Sequence, residues 1–234
     1  QYMRPAQLEA AARAQKRGLP LITVTPTAKA AAAGDFVFRY LPQNSSRAKA
    51  LAAAVMDELP KGGRVGVVAL KSKKGREMAA TLKNEVQRLG GKVVTVQEYS
   101  ARATHFSTQI GALKKARVAG VVALASARVL ELLAPQLALA GMWPQKTGRS
   151  KKRRRRLSNR SASKRIVLAA TGDGLTVKRL GQMSRYLQSA FLCPGFFPAG
   201  SDPRWGEFVR LFKRAYSIRP NLVAAYAYEA TDRL

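Results

Sequence analysis

The chain has 234 residues, 47% of them apolar, enough to bury one large core or two smaller ones, which excludes disorder of the chain as a whole. Its formal net charge of +29 lies far above the few units usual for a small domain, so affinity for anionic polymers is a candidate property. Cys193 is the only cysteine, which excludes an intrachain disulfide and a zinc set built from cysteines, and no uninterrupted apolar run reaches the roughly 18 residues that span a bilayer.

The chain begins at Gln1 without the basic, apolar and small-residue regions of a signal peptide. An amphipathic helix is already under way at Leu8 to Ala14 and ends near Gly18, so sequence upstream is expected. Leu19 to Val24 reads as a strand leading into the hydroxyl-rich turn Thr25-Pro26-Thr27, where a ligand can sit. Phe36 to Leu41 reads as an extended connector. Asn44 or Ser45 then caps a helix with Ala48, Leu51, Ala52, Val55 and Leu59 on one face.

Arg64 to Tyr99 carries the clearest pattern. Arg64 to Leu70 is a valine-rich apolar run, long enough for a buried strand and too short for a helix. Met78, Leu82, Val86 and Leu89 then recur at helical spacing among polar residues, Gly90-Gly91 stops the helix, and Lys92 to Gln97 resumes as a strand. A strand-helix-strand crossover of this length implies parallel pairing with the helix over one sheet face. The chain is therefore expected to be α/β, with function at the strand ends.

Beyond it, Thr104 is placed to cap a helix that turns Phe106, Ile110 and Leu113 inward, and Val118 to Ala125 suits a central strand. Val129, Leu132, Leu133, Leu137 and Ala140 form a further helix face, closed by Gly141. Lys146 to Arg165 follows with eleven basic residues and no acid. Arg165 to Ala170 is a strand that ends in Thr171-Gly-Asp-Gly174, Val177 to Tyr186 is helical, and Ser189 to Cys193 is a short strand. Pro194 to Pro198 is a second connector. Asp202-Pro203 starts a helix whose stripe is Trp205, Phe208, Val209, Phe212 and Tyr216, and a last helix from Leu222 to Leu234 has no stop signal, so sequence is expected downstream too.

The residues offer no catalytic constellation. His105 is the only histidine, so no Ser/His/Asp or Cys/His set can be assembled, and its place in a first helical turn suits a surface or capping role. Lys71-Ser72 lacks the glycine loop of a P-loop, Gly172-Asp-Gly174 lacks the third glycine of a dinucleotide fingerprint, and the thirteen acids form no pair at metal-ligand spacing. An enzyme, a metal and a cofactor are all unexpected. Lys146 to Arg165 reads as a solvated loop with weak electrostatic contact to anionic polymers as a secondary role; without aromatics to stack on bases, it argues only weakly for nucleic acid. What remains are polar groups at the carboxyl ends of strands, where open parallel sheets bind ligands: Thr25 and Thr27, Ser72 and Lys74, Ser126, and Asp173. Asp173 is favoured among them because its flanking glycines let a ligand approach the backbone.

The order of these segments resembles the type I periplasmic binding proteins, in particular the leucine/isoleucine/valine-binding branch. The matching pieces are Gly18 to Thr27, Gly34 to Arg39, Arg64 to Leu70 with Lys74-Gly-Arg76, Thr104 to Ser107, Gly172 to Gly174, and Asp202 to Leu234 with its Ala-Tyr-Ala-Tyr-Glu-Ala. The resemblance implies two Rossmann-like α/β lobes with parallel sheets, joined by crossovers at Phe38 to Leu41 and Gly195 to Pro198. Residues 42–196 would form the C-terminal lobe, carrying the basic loop 146–165, and residues 1–41 with 197–234 an incomplete N-terminal lobe. It implies an exported, non-enzymatic solute receptor that binds an amino acid or related small molecule and serves an ABC transporter permease, in the periplasm or anchored as a lipoprotein. In that family the turn matching Thr25 to Thr27 holds the ligand carboxylate and ammonium, and the acid matching Asp173 holds the ammonium. Lys74 stands where an aromatic is usual, and the aromatic often found after the central strand is replaced around Ser126-Ala127. Lipoprotein activators of penicillin-binding proteins share the fold, so a regulator that binds a peptidoglycan synthase is the alternative, and a basic nucleic-acid-associated protein a second one.

Overall fold

The computed structural model describes residues 4–23, 32–40, 44–144, 164–196 and 203–232. Contacts divide the chain into two compact units, the larger of 44–197 and the smaller joining 1–43 to 198–234. The smaller unit begins with α1 (Arg4–Lys16), β1 (Leu21–Thr23) and β2 (Val37–Arg39). The larger unit then alternates α2 (Asn44–Glu58), β3 (Arg64–Leu70), α3 (Lys73–Arg88), β4 (Lys92–Tyr99), α4 (Ser107–Lys115), β5 (Gly120–Leu124), α5 (Ala127–Leu139), β6 (Met142–Pro144), β7 (Lys164–Ala170), α6 (Val177–Leu187) and β8 (Phe191–Leu192). Returning to the smaller unit, the chain forms α7 (Pro203–Tyr216) and α8 (Leu222–Asp232).

The larger unit is built on one parallel sheet in the order β4-β3-β5-β7-β6, with β8 also on β7. Period-2 alternation sends its side chains to two apolar layers. Val65, Val67, Ala69, Val122, Val167 and Ala169 pack on Leu51 and Val55 of α2 and on Met78, Leu82 and Val86 of α3. Val68, Val121, Ala123, Ile166 and Leu168 pack with Phe106, Ile110 and Leu113 near α4 and with Leu130, Leu133 and Leu137 of α5. Burial on both faces explains why these strands are continuous apolar runs. The absent side chain of Gly66 matters here, since a Cβ there would run into the Leu113 side chain, which would have to shift within the layer.

Several local expectations need correction. The helix after Thr104 begins at Ser107 without a side-chain cap; Gln136 of α5 replaces it, accepting from the Phe106 amide at 2.9 Å and donating to the Thr104 carbonyl at 2.9 Å. The face of α5 is turned so that Ala127, Leu130, Leu133, Ala134, Leu137 and Ala138 are buried, and Pro135 sits within the helix without ending it. Residues read as the first connector contain β2, which pairs in parallel with β1. β6, which the sequence reading did not contain, pairs with the start of β7. α1 is not amphipathic in burial, with Ala11 buried and Leu8 exposed.

In the smaller unit, the stripe read on α7 is not a buried one. Phe208 alone is buried, while Tyr216 is exposed; the rings pack on one another instead, Phe208 stacked on Tyr228 at 4.5 Å and Phe212 tilted against Tyr216 at 4.6 Å. The basic tract lies outside the described residues except for Lys164 and Arg165, which belong to β7. Among the described residues no helix is long and apolar enough to cross a membrane.

Candidate functional site

In the strand order β4-β3-β5-β7, the chain leaves β3 toward β4 on one side and β5 toward β7 on the other. The crossovers diverge between β3 and β5, and there the carboxyl ends of a doubly wound sheet open a crevice. A cavity of about 230 Å³ lies at this point. Leu70 and Ser72 line it from the end of β3, Leu124, Ala125 and Ser126 from the end of β5, and Thr171 and Asp173 from the end of β7. Asn44 at the start of α2, Lys74, Gly75 and Met78 on α3, Tyr99 at the end of β4, Ala101 after it, and Val129 on α5 complete it.

Three helices of 15, 16 and 13 residues start at lining residues: α2 at Asn44, α3 after Ser72 and α5 after Ser126. Each brings the positive end of its dipole to the cavity. Ser72 caps α3 by accepting from the Gly75 amide at 3.0 Å, which leaves its O–H to donate elsewhere. Gly75 is required by contact: a Cβ on it would collide with the carbonyl oxygen of Leu70, a backbone atom that cannot step aside. The β3-to-α3 turn is thereby drawn tight, and Lys74 is carried to the rim.

The wall between β5 and β7 is tied by backbone groups. The Thr171 hydroxyl, on a residue 2% exposed, accepts from the Ala125 amide at 2.9 Å and donates to the Ala125 carbonyl at 2.8 Å. Gly172 donates to Ala125 at 2.9 Å, Ala127 donates to the Asp173 carbonyl at 2.8 Å, and Ser126 bridges Asp173 in parallel. The ladder thus continues past the strands. Tyr99 donates to the Leu124 carbonyl at 3.2 Å, and burial, with a smaller contribution from the Asp173 charge, pushes its hydroxyl up to about 12.

Asp173 has a charged partner. Arg47, one turn into α2, places Nη2 2.6 Å from Asp173 Oδ1 and donates also to the carbonyls of Thr171, at 3.2 Å, and Cys193. The Arg47 side chain is 12% exposed, whereas that of Asp173 is 47% exposed. Burial opposes the guanidinium charge, but the Asp173 carboxylate, with a smaller contribution from Cys193, outweighs it, so Arg47 is held above its ordinary value. Its buried Nε finds no hydrogen-bond partner.

Of the residues expected from sequence, Ser72, Lys74, Ser126 and Asp173 are gathered on this cavity, while Thr25 and Thr27 lie outside the described residues. The sequence reading missed Arg47, Tyr99, Asn44 and Thr171. A signal for Arg47 was available, because it stands four residues before Leu51 and eight before Val55 on the apolar stripe of α2. An arginine on a buried stripe calls for a carboxylate partner. Cys193 is half-buried against the α2 layer, and His105 is exposed. No group of three or more His, Cys, Asp or Glu able to hold a metal occurs among the described residues.

Residues 2–150 match the family described as periplasmic binding protein. No curated protein sequence matches the chain. Among solved structures, one from Rhodospirillum rubrum described as a branched-chain amino acid ABC transporter aligns at 17% identity and a TM-score of 0.77, covering 95% of this chain and 58% of that one. A leucine-binding protein from Thermotoga maritima aligns at 18% identity and a TM-score of 0.62, covering 96% and 58%. An ABC transporter solute-binding protein from R. palustris in complex with benzoate aligns at 18% identity and a TM-score of 0.60, covering 94% and 55%. The chain thus spans a little over half the length of these structures, and the likeness is one of fold: the type I periplasmic binding protein fold.

Proposed function

The chain belongs to the periplasmic binding proteins, and from that premise we propose that it acts as a solute receptor of an ABC transporter, located in the periplasm and without enzymatic activity. In this reading the unit of 44–197 is the C-terminal lobe, and the unit joining 1–43 to 198–234 is part of the N-terminal one. The observation that carries the reading is the cavity at the divergence of β3 and β5, where Ser72, Lys74, Ser126 and Asp173 converge from three strand ends. An open parallel sheet binds its ligand there, and hydroxyls with helix starts suit a small solute bearing a carboxylate, an amino acid or a related molecule.

The experiment is a thermal-shift screen of the full chain against amino acids and small organic acids. A solute present at a hundred times its Kd adds about 2.7 kcal/mol, or several degrees. The shift should vanish in Ser126→Leu, which fills the cavity beside Val129. A chain that no solute stabilises would lose the receptor reading and leave the peptidoglycan-synthase regulator as the better account.

A further inference from the structure

The acid that a receptor of zwitterions would turn toward a ligand ammonium is already engaged by an arginine of its own chain. Arg47 reaches Asp173 at 2.6 Å from a position where only 12% of its side chain is exposed, and two carbonyls, of Thr171 and Cys193, hold the same nitrogen. The pair is fixed by β7, β8 and α2 together, so it is a part of the fold and not a surface encounter. An ammonium brought to Asp173 would share its carboxylate with a guanidinium and meet that cation's repulsion in a partly dehydrated place. Lys74 adds a second positive charge to the rim, and three helix starts add partial ones. Among the described residues, the charged side chains of the cavity and its wall are Lys74, Arg47 and Asp173, which leaves an excess of one positive charge. The Ser72 hydroxyl, having accepted from Gly75, has a proton to give and no need of one.

We propose that the cavity selects small carboxylates that lack an ammonium group, with Lys74 and the Ser72 hydroxyl facing the carboxylate and Arg47 acting as the specificity-determining residue that removes Asp173 from ligand recognition. The apolar remainder of the ligand lies against Leu70, Met78 and Val129. This rests on the receptor reading and narrows it from amino acids to the related acids.

Calorimetry on the full chain with matched probes separates the two ideas. One set is leucine, 4-methylpentanoate and 3-methylbutylamine, which share a carbon skeleton and differ in carrying both charges, the carboxylate alone or the ammonium alone. The aromatic set is phenylglycine, benzoate and benzylamine. In at least one set the acid should bind tenfold or more tighter than the amino acid, with no binding of the amine. Lys74→Met, at an exposed position, should weaken the acid about tenfold and leave Tm unchanged. In Arg47→Met the released Asp173 should shift preference toward the amino acid, while Arg47→Lys, which retains the charge and tests the same point if Arg47→Met does not fold, should keep the preference for the acid. An amino acid or amine that binds more tightly than its matched acid overturns the inference and leaves the receptor reading standing. No heat from any of the six probes also overturns the inference, and the receptor reading falls with it only if the thermal-shift screen is silent as well.

Discussion

The two units of this chain use the same kinds of element and reach different degrees of closure. In the larger unit every strand of the parallel sheet has helices to cover it, and valines at alternate positions of β3 and β5 are fully buried on one layer or the other. In the smaller unit β1 and β2 are three residues each, and α7 buries Phe208 alone. All the exposed large apolar side chains among the described residues, except Val96, Leu139 and Val177, belong to the smaller unit. A sheet needs breadth before its helices can bury their faces, so the difference locates the independent stability of the chain in 44–197.

The sharpest way to break that comparison is to separate the units. A fragment of 44–197 should unfold in one sigmoidal transition by circular dichroism, and 1–43 joined by a short linker to 198–234 should show none. Cooperative unfolding of the smaller unit by itself would mean that its ring stacks and short sheet suffice, and the contrast would be lost.

A second test uses the buried hydroxyl of Tyr99. Its proton is held to about pH 12 in the folded state and is released near pH 10 in the unfolded chain, so the stability it contributes is complete below pH 10. That contribution falls as pH rises from about 10 to about 12, by roughly 2–3 kcal/mol. Tyr99→Phe should lose about 1 kcal/mol at neutral pH with the hydrogen bond to Leu124, yet show a shallower alkaline decline than the parent protein. Equal alkaline slopes in denaturant titrations of the two proteins would show that Tyr99 is open to water and the larger unit looser than described.

The smallest effect is expected from the basic tract. Replacing 146–163 with a short Gly/Ser loop, while keeping Lys164 and Arg165 in their ladder with β6, should change stability by less than about 1 kcal/mol, since loop closure varies by only about 0.6 kcal/mol per doubling of length. A loss of several degrees in Tm would give the tract a structural role and would place part of the larger unit's closure outside its sheet.

What could be read from the sequence follows the same division. β3, β5 and β7 were legible because strands buried on both faces leave uninterrupted valine and alanine runs, and α3 because its apolar residues keep helical spacing against a charged remainder. β6 was not, since Met142-Trp-Pro144 is too short to carry a period and contains a proline. The start of α4 was misread because its missing cap is supplied from α5 by Gln136, a partner thirty residues away that no local rule contains. At the candidate site, the rim residues were accessible to a rule about strand ends. The Arg47 to Asp173 pair spans 126 positions and depended on where α2 lies across the sheet. On α7 the aromatic spacing was real, but spacing reports a face, and only a partner surface makes that face buried.

The Thr171 hydroxyl, which closes both polar groups of Ala125, has an evolutionary corollary. Because the wall between β5 and β7 is fixed by backbone atoms and one buried side chain, the outward groups at 74 and 126 can drift in size and charge without displacing the floor beneath them, whereas Ser72 is held by its cap on α3 and Asp173 by the buried Arg47. A lineage can then change what it recognises by single substitutions at the rim while its scaffold stays under purifying selection, and in such a site Thr171 should tolerate exchange less well than any residue facing the solute.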